Sequence, residues 1–86
     1  MKVSVELTFS PLQDDYEAHI IRFIKRLRDT GLTLLENPLA TQVYGDYDIV
    51  MDTLSKEMKR SFEEIGIGLF YIKLVKTDRS DYAADF

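Results

Sequence analysis

From Lys2 to Ser10 the chain alternates, with Val3, Val5, Leu7 and Phe9 on one side of a strand and Lys2, Ser4, Glu6, Thr8 and Ser10 on the other. Ser10-Pro11 ends the strand, because proline cannot donate to a ladder. The period then changes. Tyr16, Ile20, Phe23, Ile24 and Leu27 recur at helical spacing, with Asp14 and Asp15 at the start and Arg26 and Arg28 at the end, as the helix dipole favours. Gly31 furnishes a left-handed stop. A short apolar strand over 32–36, a turn at Asn37-Pro38 and a third strand over 40–44 come next. Asp46 is placed to cap a second helix whose buried stripe reads Val50, Leu54, Met58, Phe62 and Ile65, and Gly66 closes it. Residues 67–76 form the last strand. A polar tail over 77–86 carries two aromatics, Tyr82 and Phe86.

This β-α-β-β-α-β order predicts one α+β domain over residues 1–86, a ferredoxin-like sandwich. Its four-stranded antiparallel sheet would run 4-1-3-2, with both helices on one face. The other face would ordinarily be wet and polar. The last strand departs from that pattern. Gly68, Phe70, Ile72 and Leu74 are apolar on one side, while Leu69, Tyr71 and Val75 accompany Lys73 on the other. A strand apolar on both sides calls for cover on both sides. In a chain of 86 residues the expected cover is a further subunit, in a homodimer or a dimer of dimers, or a ligand. Strand one presents Ser4, Glu6 and Thr8 to the same face, so Glu6 can approach Lys73. The two either fix the sheet and its assembly as a structural pair or hold a polar ligand.

Composition narrows the functional classes. There is no cysteine, which removes disulfides, thiolate metal sites and thiol catalysis. A formal charge of −4 argues against nucleic acid as a partner. The basic run Arg22, Lys25, Arg26 and Arg28 reads as a solvated helix face. No stretch approaches the ~18 apolar residues of a membrane span, and the alternating N-terminus does not resemble a signal peptide, so no membrane insertion and a cytoplasmic location are expected. His19, the single histidine, reads as a surface or helix-packing residue. Asp14, Asp15, Glu63 and Glu64 read as solvated charge at helix ends. No phosphate-binding glycine loop and no metal-ligand spacing occurs, so neither cofactor nor metal is expected.

The segment Asn37-Pro38-Leu39-Ala40-Thr41-Gln42-Val43-Tyr44-Gly45-Asp46-Tyr47-Asp48 gathers amide, hydroxyl, phenol and carboxylate groups, with a glycine that would let a ligand approach the backbone. No nucleophile–base pair accompanies it, so it suits holding a small polar molecule. Asn37 can equally serve the turn, and Asp46 the helix cap. Period alone leaves two orientations open for the third strand. If Thr41 faces the helices with Val43, then Gln42 and Tyr44 line the open face.

Ser4-Val5-Glu6-Leu7, Gly31-Leu32, the 37–48 segment and the following Val50-Met51 resemble the thiamine-binding protein family. The resemblance runs over nearly the whole chain, Lys73 to Arg79 and the tail included, and its most specific part is Thr41 to Asp48. It implies a ferredoxin-like protein that associates through its sheets and binds thiamine or its hydroxymethylpyrimidine portion without catalysis. Some members carry Glu-Gly where this chain has Tyr44-Gly45, which places the chain nearer a branch linked to pyrimidine salvage or transport. A flat aminopyrimidine needs a stacking surface and a few edge-directed polar groups. Tyr44, Tyr47 or Phe70 would supply the surface. Ser4, Glu6, Thr8, Asn37, Thr41 and Gln42 would supply the edge contacts, with Lys73 beside them. Two other readings stand next to this one: an effector-sensing module for a different ligand, and a cofactor-free enzyme relying on Glu6, Tyr44 or Asn37.

Overall fold

The first strand, β1 (Lys2–Pro11), lies at the centre of the molecule, because each side of it finds a partner. In the computed structural model, which describes residues 1–85, β3 (Thr41–Asp46) pairs with it on one side and β4 (Gly68–Val75) on the other. The short β2 (Thr33–Glu36) extends the sheet beyond β3. All pairings are antiparallel and the order is β2-β3-β1-β4, the expected 4-1-3-2 read from the other edge. Helices α1 (Tyr16–Arg28) and α2 (Tyr47–Glu63) complete the β-α-β-β-α-β sandwich. Phe86 lies outside the described residues.

Alternation in β1 decides the faces. Val3, Val5, Leu7 and Phe9 join Phe23, Leu27, Val43, Val50 and Leu54 in one core. Phe70 belongs to this side too. It stacks on Phe9 at 4.4 Å and meets Phe23 and Phe62 edge-on at 5.0 and 5.2 Å. Offset and edge-on aromatic pairs add to what their buried area already contributes.

The helix boundaries depart modestly from expectation. Asp15 occupies the N-cap position of α1, which places Asp14 outside the helix and Glu17 in its first turn. Gly31 does take the left-handed conformation, at φ +81°, which favours glycine. Asp46 occupies the N-cap position of α2, but its side chain makes no capping bond and pairs with Lys2 at 3.4 Å.

The inward stripe of α2 differs from the apolar pattern. Val50 and Leu54 are buried as expected, but the next inward positions are Glu57 and Ser61, while Phe62 is half-exposed. The cause is Arg26 on α1, which is not a solvated cation. Its guanidinium donates to Glu57 at 2.9 Å, to Ser61 at 2.6 Å and to Glu64 at 3.1 Å. Each buried polar group therefore finds a partner across the helix pair. His19 is buried beside this network. Its Nδ1 accepts from Arg22 at 2.7 Å and its Nε2 lies 3.3 Å from Asp15. Glu64 is likewise not free charge. Burial pushes its pKa up, but hydrogen bonding from Arg22 and the field of Arg26 outweigh that and hold it below the usual range.

Candidate functional site

Register across the sheet assembles the open face. One row reads Leu35, Gln42, Glu6 and Lys73 from β2 to β4; the next reads Thr33, Tyr44, Ser4 and Val75. Side chains alternate across a pleated sheet, so both rows point away from the helices. Two contiguous hollows lie over them. One, of about 340 Å³, is lined by Ser4, Glu6, Gln42, Tyr44, Lys73 and Arg79, with Val5 and Val75. The other, of about 620 Å³, shares Gln42, Tyr44, Lys73 and Arg79 and adds Leu35, Ser80 and Tyr82.

Arg79, Ser80 and Tyr82 come from the tail, which folds back over this face. Ser4 fastens it. The Ser4 hydroxyl donates to the Thr77 carbonyl at 2.6 Å and accepts from the Arg79 amide at 2.9 Å, using both sides of one oxygen. A turn follows in which Asp78 accepts from the Ser80 amide at 2.8 Å, and the Arg79 guanidinium sits 5.9 Å from the centre of the Tyr82 ring. Hydrogen bonding from Ser80 holds the Asp78 carboxyl below its ordinary range. The sheet is therefore covered near Ser4 by the chain's own segment, and Ser4 and Tyr44 are 7% and 8% exposed. The phenol of Tyr44 donates to Gln42 at 2.5 Å, which turns the amide and the ring into one unit.

The anticipated residues fall into two groups. Ser4, Glu6, Gln42, Tyr44 and Lys73 converge on the hollow, and Glu6 faces Lys73 in register, although they form no ion pair within 4.0 Å. Thr8 shares the face but lies one step along, with Glu6, Tyr71 and Lys73, and its hydroxyl donates to the Leu39 carbonyl at 3.1 Å. The others point elsewhere. Thr41 pairs with Leu7 and is buried on the helix side, which resolves the orientation of β3. Phe70 is a core aromatic on that same side. Asn37 closes its own turn, accepting from the Leu39 and Ala40 amides at 2.9 Å each. Gly45 faces the helices as well. A Cβ there would sit 3.2 Å from the Val50 side chain, so this glycine makes room for α2 and not for a ligand.

Sequence reasoning missed the tail as a wall of the site. Asp78 two residues before Ser80 is a turn signal, but the fastening needs a serine 73 residues away, which no local pattern links to Thr77. The last strand is less covered than its composition calls for. Tyr71 is 66% exposed on the open face, and Ile72 and Leu74 are 50% and 46% exposed on the helix side. Among the described residues no group of three or more His, Asp or Glu converges as a metal site would require, and no helix is long and apolar enough to cross a membrane.

By sequence the chain matches no family model and no curated protein. Its backbone does match solved structures. A Streptococcus pneumoniae protein superposes with a TM-score of 0.86 at 23% identity, over 94% of this chain and 92% of that one. A Thermotoga maritima protein, provisionally assigned to thiamine biosynthesis or salvage, superposes at 0.81 with 19% identity, over 90% of this chain and 85% of that one. A Bacillus cereus domain of unknown function, DUF77, gives 0.77 at 14% identity, over 99% and 85%. This likeness establishes the fold. The side chains of the open face carry the functional argument.

Proposed function

We propose that the hollow on the helix-free face binds a small, flat, polar heteroaromatic molecule without transforming it, and that the ligand is thiamine or its hydroxymethylpyrimidine portion. The observation that carries this reading is the convergence of Glu6, Gln42, Tyr44 and Lys73 on one concave surface beneath the strapped tail. A flat ring fits against the Tyr44 side, the Gln42 amide can meet a ring nitrogen or amine, and Glu6 favours an amine or a cationic ring. The provisional thiamine assignment of the Thermotoga maritima neighbour and the sequence resemblance around residues 41–48 support the choice of ligand.

Calorimetry with hydroxymethylpyrimidine and with thiamine tests the reading. Saturable heat is expected with at least one of them, weakened about tenfold or more by Glu6→Ala or Tyr44→Ala, as loss of ~1.4 kcal/mol of contact would do. The ligand should be recovered unchanged after long incubation. Absence of heat with both compounds would overturn the ligand assignment, and turnover would overturn the non-catalytic part.

We also propose that the chain forms a homo-oligomer, a dimer or a dimer of dimers, which should sediment above monomer mass at micromolar concentration. The exposed apolar residues of β4 support it. Phe70 is a core residue, so Phe70→Asp would unfold the chain; Tyr71→Asp is the informative variant. It should shift sedimentation toward monomer while leaving circular dichroism unchanged, and a wild-type monomer would refute the assembly.

A further inference from the structure

The cavity has an electrostatic direction that the ring-binding reading does not use. Its smaller half is lined by Glu6 as well as by Lys73 and Arg79. Its larger half is lined by Lys73, Arg79, Gln42, Tyr44, Ser80, Leu35 and Tyr82, with no carboxylate among them. Neither Lys73 nor Arg79 forms an ion pair within 4.0 Å among the described residues, whereas Arg22, Arg26, Arg28 and Arg60 all do. In a chain of net charge −4, two cations without a carboxylate partner among the described residues converge on one hollow.

Their placement is built from two independent parts of the fold. Lys73 is fixed by register opposite Glu6 in the middle of β4. Arg79 is brought over the sheet by Ser4, which holds its backbone amide at 2.9 Å. The neighbouring tail acid Asp78 is engaged by the Ser80 amide and lines neither hollow. Ser80 itself adds a hydroxyl donor to the cationic end.

We propose that the ligand of this site carries a phosphate ester on its flat ring, with the phosphate held between Lys73 and Arg79 beside Ser80 and the amine-bearing edge directed to Glu6. This rests on the reading of the open face as a ring-binding site and makes it directional. A phosphate dianion matches two cations and a hydroxyl donor, and charge-assisted bonds to its oxygens are stronger than neutral ones. The arginine supplies a planar fork and the lysine a movable point charge. The ring then bridges the two halves across Gln42 and Tyr44, the neutral residues that both halves share.

The test is calorimetry on the full chain with hydroxymethylpyrimidine, with its phosphate monoester, and with inorganic phosphate as competitor. The monoester is expected to bind about tenfold or more tighter than the alcohol, with that preference shrinking as salt rises. Arg79→Gln keeps the backbone amide that Ser4 holds, and it should erase most of the preference, read as the ratio of the two affinities measured on the same variant. Lys73→Gln should act in the same direction, and inorganic phosphate should compete with the monoester but not with the alcohol. Equal affinity for the two compounds, or a preference that survives Arg79→Gln, would overturn the phosphate subsite and leave ring binding standing. Binding of neither compound would remove the ring-binding reading and this inference together.

Discussion

The two faces of the sheet are drawn from alternate residues of the same strands, yet burial does different work on each. On the helix side, Val5, Val43 and Leu27 are at most 1% exposed and sit within a continuous apolar cluster. On the open side, Ser4 and Tyr44 are nearly as buried, but what covers that side near Ser4 is a short polar strap held by hydrogen bonds. Burial of the first kind stabilises the fold in proportion to the apolar area removed from water. Burial of the second kind fixes a shape. Variants on the helix side should therefore cost stability, and variants on the open side should cost geometry and binding.

The sharpest test of that division is Phe23→Ala. Phe23 is 1% exposed and touches both Phe9 and Phe70 edge-on. Truncating it removes transfer energy and leaves a cavity, so a loss of about 3–5 kcal/mol is expected in chemical denaturation. That is a large share of what so small a domain has in total. A loss below about 1 kcal/mol would mean that the helix-side core is not the cooperative unit it looks to be.

The second test concerns the polar patch inside that core side. Arg26 and Glu57 have side chains only 15% and 7% exposed and lie 2.9 Å apart. Arg26→Met leaves the buried Glu57 carboxylate only the longer, 3.5 Å contact to the half-exposed Arg60, and should destabilise by about 3 kcal/mol, because a buried charge loses its main partner. Arg26→Met with Glu57→Leu should recover most of that loss, since replacing both ions avoids the unpaired charge. Additive losses in the double variant would show that the pair acts independently of one another and would remove this account of α2.

How much of this was readable beforehand follows from the range of each signal. The element order, the sheet order and the inward set Val3, Val5, Leu7 and Phe9 come from short periodicities, which survive folding because one face must be buried. Periodicity places Phe62 in the buried stripe of α2 because it counts apolar residues, whereas Glu57 and Ser61 are buried through a partner on another helix. The site divided in the same way. Ser4, Glu6, Gln42, Tyr44 and Lys73 share one face by alternation and register, whereas Thr41 and Phe70 have the opposite parity. Arg79, Ser80 and Tyr82 depend on a contact between the two ends of the chain, for which a single sequence holds no local signature.

The smallest effect should come from the strap itself. Ser4→Ala removes an acceptor for the Arg79 amide and a donor to the Thr77 carbonyl, each worth about 1 kcal/mol at most in net terms. Because the strap carries no apolar core, the loss should be local: the Arg79 amide exchanges faster with solvent, while core amides and the denaturation midpoint hardly move. Acid provides an independent handle on the same turn. The Asp78 carboxyl is held below its ordinary value of 3.8 by hydrogen bonding from Ser80, so the folded turn favours the ionised form. Its contribution is fully present above that ordinary value and disappears as pH falls through the lowered one. A titration followed at the Ser80 amide should therefore show the turn intact at pH 5 and released only below the usual aspartate range. Release at pH 5 or above would mean that the bond to Ser80 does not hold the turn, and the open face would then lack a fixed wall on its cationic side.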